Sequence, residues 1–235
     1  MRMKSMRNLK LKLVQAALAV CGLTAALSGA AAQSQAAAND GRWKESFDAF
    51  AAADEARMPT PGGVVFVGSS SIRLWGDLEK DFAGPTAVTK RGFGGSRMLD
   101  CAQHLHELVV RYKPRTVVVY AGDNDLAEGR LPQEVLASFK EFVEGVRRQL
   151  PDARIAYLSI KPSPLREALM PEVRKTNALI EAYSEANANL DFIDVHTHML
   201  NVEGRPRPEF FLPDRLHLNA RGYALWKSVI AEHLR

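Results

Sequence analysis

Three consecutive serines follow an apolar stretch, in a position that would suit a nucleophile. Residues 64–67 are apolar and mostly β-branched, which predicts a short buried strand. Gly68 would end this strand in a turn, and Ser69, Ser70 and Ser71 follow it. Such a turn presents a hydroxyl at the carboxyl edge of a sheet, beside helix N–H groups that favour negative charge. A serine N-cap on an ordinary strand-to-helix turn explains the same stretch more simply.

An acid and a base stand close together near the end of the chain. Asp214 lies three residues before His217, and a turn-like backbone lets side chains at that spacing meet. The carboxylate would then hold one imidazole nitrogen and leave the other for a serine hydroxyl, as acyl transfer through a nucleophile requires. A helix cap followed by a surface histidine is the alternative interpretation.

Two glycine-containing loops follow other predicted strands and could stabilise an oxyanion. Residues 92–96 are Gly-Phe-Gly-Gly-Ser, and residues 122–125 are Gly-Asp-Asn-Asp. The loops that carry Gly95 and Asn124 are therefore candidates to supply the oxyanion donors. The first loop lacks the full dinucleotide fingerprint, and no Gly-Lys-Ser/Thr follows Gly68, so nucleotide binding is poorly supported.

The segments between these loops alternate between strand and helix patterns. This alternation predicts a parallel sheet with helices on both faces, because parallel strands are joined by helical crossovers. Right-handed crossovers then give an α/β fold, a three-layer α/β/α sandwich with roughly five strands. Strands are predicted near 64–67, 86–90, 116–120, 154–160 and 190–195, and helices near 72–81, 97–112, 132–149, 172–187 and from 219 to the end.

The first 32 residues have the composition of a secretory signal peptide. Five basic residues and no acidic ones accompany an apolar, alanine-rich run that starts at Leu11. Residues 30–33 are Ala-Ala-Ala-Gln, an A-x-A-type cleavage site, so we expect cleavage after Ala32. A retained membrane span is the alternative, because the run is about long enough. Lipid attachment at Cys21 is disfavoured, since a valine precedes it.

Removal of this leader would change the charge of the protein. The whole chain has a net charge of +4, and without the leader's five basic residues it becomes −1. The charge therefore gives no reason to expect a nucleic-acid partner. Cys101 would remain alone, so no internal disulfide is expected.

We expect three parts in the chain. Residues 1–32 form the signal peptide, and residues 61–235 form the main globular domain. Residues 33–60 between them form a flexible terminus and an amphipathic helix, because Trp43 and Phe47 recur at helical spacing with Phe50. That helix is expected to pack on the main domain, with a partner-binding helix as the alternative.

Together these segments resemble the SGNH hydrolases, also called GDSL-type esterases and lipases, from about Gly63 to the end. Residues 68–71, Gly95, residues 122–125 and residues 214–217 correspond in order to the four sequence blocks of that family. The resemblance implies the flavodoxin-like SGNH hydrolase fold. It also implies hydrolysis of carboxylic esters through a serine, without a metal or other cofactor.

The resemblance also assigns roles to five residues. Ser69 stands where the family has an aspartate, and the spacing from Gly68 selects the next serine as the nucleophile. Losing that carboxylate could alter the loop, although the hydroxyl is present. The implied roles are Ser70 as nucleophile, His217 as base, Asp214 as the anion that orients it, and the oxyanion hole formed by Ser70, Gly95 and Asn124.

Other polar residues carry weaker signals. His196 and His198 have the H-x-H spacing of a metal pair, but no third ligand is expected near them, so we predict surface or pocket-rim positions. Arg73, Arg97 and Arg166 could line the pocket or form surface salt bridges.

The expected function is that of an exported serine esterase, secreted or periplasmic. Its substrate would be a small-molecule ester of the short-chain acyl, acetylated-carbohydrate or lysophospholipid type. No nucleic-acid partner and no stable membrane insertion after leader cleavage are expected, and the oligomeric state is not specified. The alternatives are a catalytically weak carbohydrate- or lipid-binding protein on the same fold and a binder of phosphate ligands.

Overall fold

A parallel sheet lies at the centre of the computed structural model, which describes residues 41–234. The described residues form five strands in the order β2-β1-β3-β4-β5. All neighbouring strands are parallel. The predicted α/β sheet of about five strands is therefore confirmed. The strands are β1 (Val64–Gly68), β2 (Val88–Gly92), β3 (Thr116–Tyr120), β4 (Arg154–Leu158) and β5 (Leu190–Ile193).

The two central strands β1 and β3 are buried along their whole length. Helices cover both faces of a parallel sheet, so its inner strands carry continuous apolar, β-branched runs instead of alternating ones. In the register of the sheet, Gly68 at the end of β1 lies opposite Gly92 of β2 and Tyr120 of β3. The loops that follow these three strands therefore leave the sheet at the same level of its carboxyl edge.

Nine α-helices lie entirely within the described residues, together with short 3-10 segments. Among the described residues, those up to Asp48 belong to one compact unit and those from Ala49 onward belong to another. The predicted leader and its cleavage site lie outside the described residues. The helices are α1 (Lys44–Ala56), α2 (Ser70–Arg73), α3 (Leu78–Asp81), α4 (Met98–Gln103), α5 (Leu105–Leu108), α6 (Asp123–Ala127), α7 (Pro132–Gln149), α8 (Met170–Glu185) and α9 (Ala220–His233).

Two predicted helices are wrong as single elements. The segment 72–81 contains the short α2 and α3, with Gly76 between them, and glycine is a poor helix former. The segment 97–112 is divided into α4, α5 and a 3-10 turn, with breaks at His104 and Val109. Histidine and valine have only modest helix propensity, and no glycine or proline marks these breaks in the sequence.

An aromatic cluster holds the last helix against the sheet and against the segment after β1. Trp226 of α9 is fully buried, with its ring centroid 4.9 Å from that of Tyr120 and 6.2 Å from that of Trp75. The Tyr223 hydroxyl donates to the backbone carbonyl of Ser71 at 3.0 Å. These contacts fix α2, which carries the predicted nucleophile, relative to the C-terminal part of the chain.

A buried ion pair joins the second half of α1 to the edge strand β2. Arg91 and Asp54 form the pair, with 7% and 2% of their side chains exposed. The Tyr112 hydroxyl donates to Asp54 and accepts from Arg91, at 2.6 Å in both cases. Burial is the main cause, and the hydrogen bond to the Asp54 carboxylate the second, that raises the pKa of Tyr112 to about 12. This hydroxyl therefore stays protonated and can donate.

Candidate active site

The turn between β1 and α2 exposes one of the three serines. Gly68 has φ +141°, and a Cβ on it would lie 1.9 Å from the carbonyl oxygen of Tyr120, so only glycine fits. The backbone N–H of Ser69 donates to that same carbonyl at 3.0 Å. Ser69 and Ser71 are fully buried, whereas Ser70 is half-buried. Ser70 is therefore the accessible hydroxyl of this turn.

His217 lies between Ser70 and Asp214. Its Nε2 is 3.0 Å from Ser70 Oγ, and its Nδ1 is 2.7 Å from Asp214 Oδ2. Both distances fall within the range expected for a nucleophile, its base and the group that orients the base. Ser70 and His217, which are 147 positions apart in sequence, thus belong to one chain of hydrogen bonds with Asp214.

Asp214 is held as an anion by the turn that carries it. Burial raises the pKa of this carboxyl, but the backbone N–H and the ring of His217 and the N–H of Leu216 outweigh burial and lower the pKa to about 2. Both N–H groups donate to Oδ1, at 3.0 and 2.9 Å. The anion therefore accepts a hydrogen bond from Nδ1–H of His217, which leaves Nε2 free to accept a hydrogen bond from the Ser70 hydroxyl.

The two glycine loops approach each other through side-chain bonds to the backbone. Asn124 Nδ2 donates to the carbonyl of Ser96 at 3.0 Å, and the Asp125 carboxylate accepts from the N–H of Met98 at 2.9 Å. Gly95 adopts φ +72°, a left-handed conformation that glycine takes readily. Both predicted oxyanion donors, Gly95 and Asn124, are half-buried at this carboxyl edge of the sheet.

A buried charged cluster lies beside Asn124. Lys161 Nζ donates to Asp123 Oδ2 at 2.9 Å and to the Tyr120 hydroxyl at 3.0 Å. Arg166 lies 3.1 Å from the same Asp123 oxygen and donates to Asn124 Oδ1 at 2.9 Å. Burial raises the pKa of Asp123, but the two cations outweigh burial and hold the pKa below its usual value. Asp123 is therefore an anion shared by two cations.

Sequence analysis missed most of this cluster. The prediction for Arg166 is a position in the pocket wall or in a surface salt bridge, and Lys161 is not among the predicted residues. Lys161 is charged, yet it is buried and lies three residues after the end of β4. A charged residue just beyond a buried strand, at the edge where ligands bind, is the signal that could have identified it.

One of the two histidines after β5 differs from its predicted surface or pocket-rim position. His196 is buried, and its Nδ1 bonds to the carbonyl of Ile160 at 2.8 Å, so the prediction of a surface or rim position is wrong for this residue. Burial lowers the pKa of His196 and favours the neutral imidazole; the Ile160 carbonyl satisfies Nδ1, whereas the buried Nε2 has no hydrogen-bond partner among the described residues. His198 is exposed. Within residues 41–234 no group of three potential ligands could hold a metal ion.

The other two candidate arginines have different surroundings. Arg97 pairs with Asp100 at 2.9 Å and Glu128 at 3.5 Å, as a structural salt bridge would. The guanidinium of Arg73 lies against Gly94, since a Cβ on that glycine would come within 2.9 Å of Arg73 Nε. No helix in the described part of the chain is long and apolar enough to cross a membrane.

Solved structures with the same fold include several lipolytic proteins. A GDSL-like lipase from Bacteroides thetaiotaomicron has a TM-score of 0.67 and 23% identity, with 80% of this chain and 96% of that chain covered. A member of the lipolytic protein G-D-S-L family from Veillonella parvula has a TM-score of 0.61 and 17% identity, covering 72% and 96%. A carbohydrate esterase family 3 protein from Talaromyces cellulolyticus has a TM-score of 0.56 and 17% identity, covering 74% and 96%.

Family comparison agrees with these structures and covers most of the chain. A search of the curated proteins found no match. The family model described as GDSL-like Lipase/Acylhydrolase matches residues 63–225, a span that begins just before β1 and ends within α9. That span includes every predicted site residue. The chain belongs to the GDSL-like lipase/acylhydrolase family.

Proposed function

We propose that this protein is a serine esterase that hydrolyses carboxylic esters through Ser70, His217 and Asp214. The observation that carries the proposal is the continuous contact from Ser70 Oγ to His217 Nε2 and from Nδ1 to Asp214, at 3.0 and 2.7 Å. The family membership gives the same class of reaction, acyl hydrolysis. A binding protein without turnover would need no such arrangement of base and nucleophile.

Ser70 Oγ attacks the carbonyl carbon of the ester while His217 Nε2 takes its proton. The Asp214 anion stabilises the imidazolium that forms. The carbonyl oxygen becomes an oxyanion, which accepts hydrogen bonds from the N–H groups of Ser70 and Gly95 and from Asn124. The imidazolium then protonates the departing alcohol. Water, deprotonated by the same imidazole, attacks the acyl-serine and releases the acid.

The nucleophile is tested by replacing the three serines one at a time. Ser70→Ala should abolish hydrolysis of a chromogenic ester, because no other hydroxyl of the turn is accessible. Ser69→Ala and Ser71→Ala are the matched controls and should retain most activity, since both side chains are buried. Loss of activity in Ser69→Ala with an active Ser70→Ala would move the nucleophile to the preceding residue. A wild-type protein that turns over no ester would favour the binding-protein alternative.

We further propose that the substrate is a short-chain acyl ester, an acetylated carbohydrate or a lysophospholipid-like ester. The fold is shared with a protein named as a carbohydrate esterase, which supports including acetylated sugars. A panel of esters graded by acyl length, with acetylated sugars and a lysophospholipid, ranks the three by kcat/KM. The ester class with the highest kcat/KM identifies the substrate.

Export is the remaining part of the proposal. The basic, apolar and small-residue segments of residues 1–32 support cleavage after Ala32. The mature protein should begin at Gln33 and be recovered in the periplasm or the medium. N-terminal sequencing of the purified protein checks this. A chain that retains Met1 or begins at a lipid-modified Cys21 would contradict it.

A further inference from the structure

The orientation of the Asn124 amide is fixed by two hydrogen-bond partners, one a donor and the other an acceptor. Arg166 Nη2 lies 2.9 Å from Oδ1, and the carbonyl of Ser96 lies 3.0 Å from Nδ2. A guanidinium can only donate, and a carbonyl can only accept, so a rotated amide would lose both bonds. An amide nitrogen carries two hydrogens. One is used by Ser96, and the second remains for an oxyanion.

Arg166 is itself held in place by a buried carboxylate. Its side chain is 18% exposed, and Nη1 lies 3.1 Å from Asp123 Oδ2. Asp123 directly precedes Asn124, so one guanidinium spans two adjacent residues of α6. Lys161 fixes the position of the Asp123 carboxylate from another direction at 2.9 Å, with only 1% of its side chain exposed. Arg166 therefore has little freedom to leave Asn124.

The segment that carries Arg166 is also tied to the turn that carries the proposed acid and base. The N–H of Leu165 donates to the carbonyl of Arg215 at 2.9 Å. Arg215 has φ +59° and lies between Asp214 and His217. The segment that carries Arg166 is thus in direct contact with a part of the site that is distant in sequence.

We propose that Arg166 is a positioning residue that keeps Asn124 Nδ2 directed into the oxyanion hole. This inference rests on the function proposed above. Arg166 acts through Asn124 and makes no bond to the substrate. Without it, Asn124 can rotate and present Oδ1, which would repel a developing oxyanion. The loss then falls on kcat, because charge on the carbonyl oxygen develops only in the transition state.

A double-mutant cycle tests this coupling on one ester substrate. Arg166→Met should lower kcat by about tenfold or more, up to the roughly 10²–10³ expected for loss of the Asn124 donor itself. Its KM should stay within about twofold of the wild-type value. In an Asn124→Ala background, Arg166→Met should lower kcat no further, since no amide is left to orient.

Two further variants act as controls. Arg147→Met replaces another half-buried arginine, whose Nη2 donates to the carbonyl of Ala188 at 2.5 Å, just before β5 and so at the opposite edge of the sheet. It should leave kcat unchanged. If Arg166→Met does not fold, the cycle is run with Arg166→Lys. Lysine keeps a charge for Asp123 but lacks the planar fork that spans Asp123 and Asn124.

Three outcomes would overturn the inference. They are an unchanged kcat in the Arg166 variant, a raised KM with unchanged kcat, and an equal loss of kcat with and without Asn124. Ser70→Ala, assayed in parallel, separates this failure from failure of the proposed function. An active Ser70→Ala overturns both, whereas an inactive Ser70→Ala with independent Arg166 and Asn124 effects overturns the role of Arg166 alone.

Discussion

His217 makes contacts of different kinds through its two ring nitrogens. Nδ1 faces the Asp214 anion, and Nε2 faces the neutral hydroxyl of Ser70. The low pKa of Asp214, about 2, keeps the carboxylate charged at any pH at which the protein is assayed. The proton on Nδ1 is therefore fixed, and Nε2 is the nitrogen that can take the serine proton.

Asp214→Asn should reduce kcat by several orders of magnitude. In Ser-His-Asp triads, an aspartate-to-asparagine change fixes the wrong histidine tautomer and lowers kcat by roughly 10⁴. The amide oxygen can keep the two backbone bonds that Oδ1 now accepts, so the turn should survive. The NH₂ group would then face Nδ1 and force the proton onto Nε2, which could no longer accept from Ser70.

Steady-state kinetics and thermal unfolding measured on the same samples check this prediction. The melting temperature should remain close to the wild-type value, because 45% of the Asp214 side chain is exposed. Retention of more than a tenth of the wild-type kcat would show that His217 is oriented by some other group.

At the scale of elements, the site is assembled from strand ends, and this part was predictable. Each loop follows a buried strand whose β-branched run is easily recognised, and Gly68 marks the first turn. Parallel strands deliver their following loops to one edge, so Ser70, Gly95 and Asn124 could be placed together from the sequence. Asp214 and His217 required the family resemblance in addition, since a long loop separates them from β5.

The charged cluster could not be predicted in the same way. Lys161 and Asp123 are 38 positions apart, and Arg166 and Asn124 are 42 apart. Nothing local in the sequence specifies such a pairing, because each of these polar residues lies in a segment whose composition is that of an exposed loop. The breaks within 72–81 and 97–112 have the same origin, since packing in the fold determined where these helices end.

Asp125 joins α6 to the start of α4, and its titration should affect stability. Burial is the main cause that raises its pKa to about 6, from an ordinary value of 3.8, against the opposing bond from Met98 N–H. A raised pKa favours the protonated folded form, so its contribution to stability is present below pH 4 and is lost as the pH rises through 6. Two pKa units correspond to about 3 kcal/mol.

Asparagine does not titrate, so Asp125→Asn should remove this contribution to the pH dependence of the free energy of unfolding. Free energies of unfolding from urea titrations at pH 4, 5, 6 and 7 provide the measurement. The stability of wild type relative to Asp125→Asn should fall steadily over this range. Asp152→Asn, at an exposed turn before β4, controls for loss of one negative charge. A difference that stays constant with pH, or changes in the opposite direction, would contradict the assignment.

At the scale of the whole molecule, one architectural feature places most of the site. The sheet is parallel throughout, so five strand ends point to one edge and helices occupy both faces. The two central strands contribute Ser70 and Asn124, and the flanking strands β2 and β4 contribute Gly95 and Arg166. The far end of the chain returns through α9, whose Trp226 packs on Tyr120, and brings His217 to that edge.

The edge strand β2 depends on a charge pair that the sequence did not reveal. Asp54 lies on α1 and Arg91 on β2, and each is nearly inaccessible to water. Removing one partner of a buried pair leaves an uncompensated charge, which costs about 3–5 kcal/mol. Asp54→Ala should therefore lower the free energy of unfolding by about that amount, because it leaves Arg91 buried and unpaired.

The comparison that isolates this effect is the double variant Asp54→Leu with Arg91→Met. Replacing both charges with apolar groups of similar size should be less destabilising than Asp54→Ala alone, since neither buried charge remains. Arg111, 3.6 Å from Asp54, also loses a partner, but its side chain is 32% exposed and water can solvate it. Asp77→Ala is the control, because it breaks an exposed ion pair with Lys80 at 3.0 Å, with side chains 69% and 85% exposed. Such pairs contribute about 0–1 kcal/mol. Urea unfolding of the three variants should rank Asp54→Ala as the least stable, and a double variant less stable than Asp54→Ala would mean that the ion pair itself holds β2 to α1.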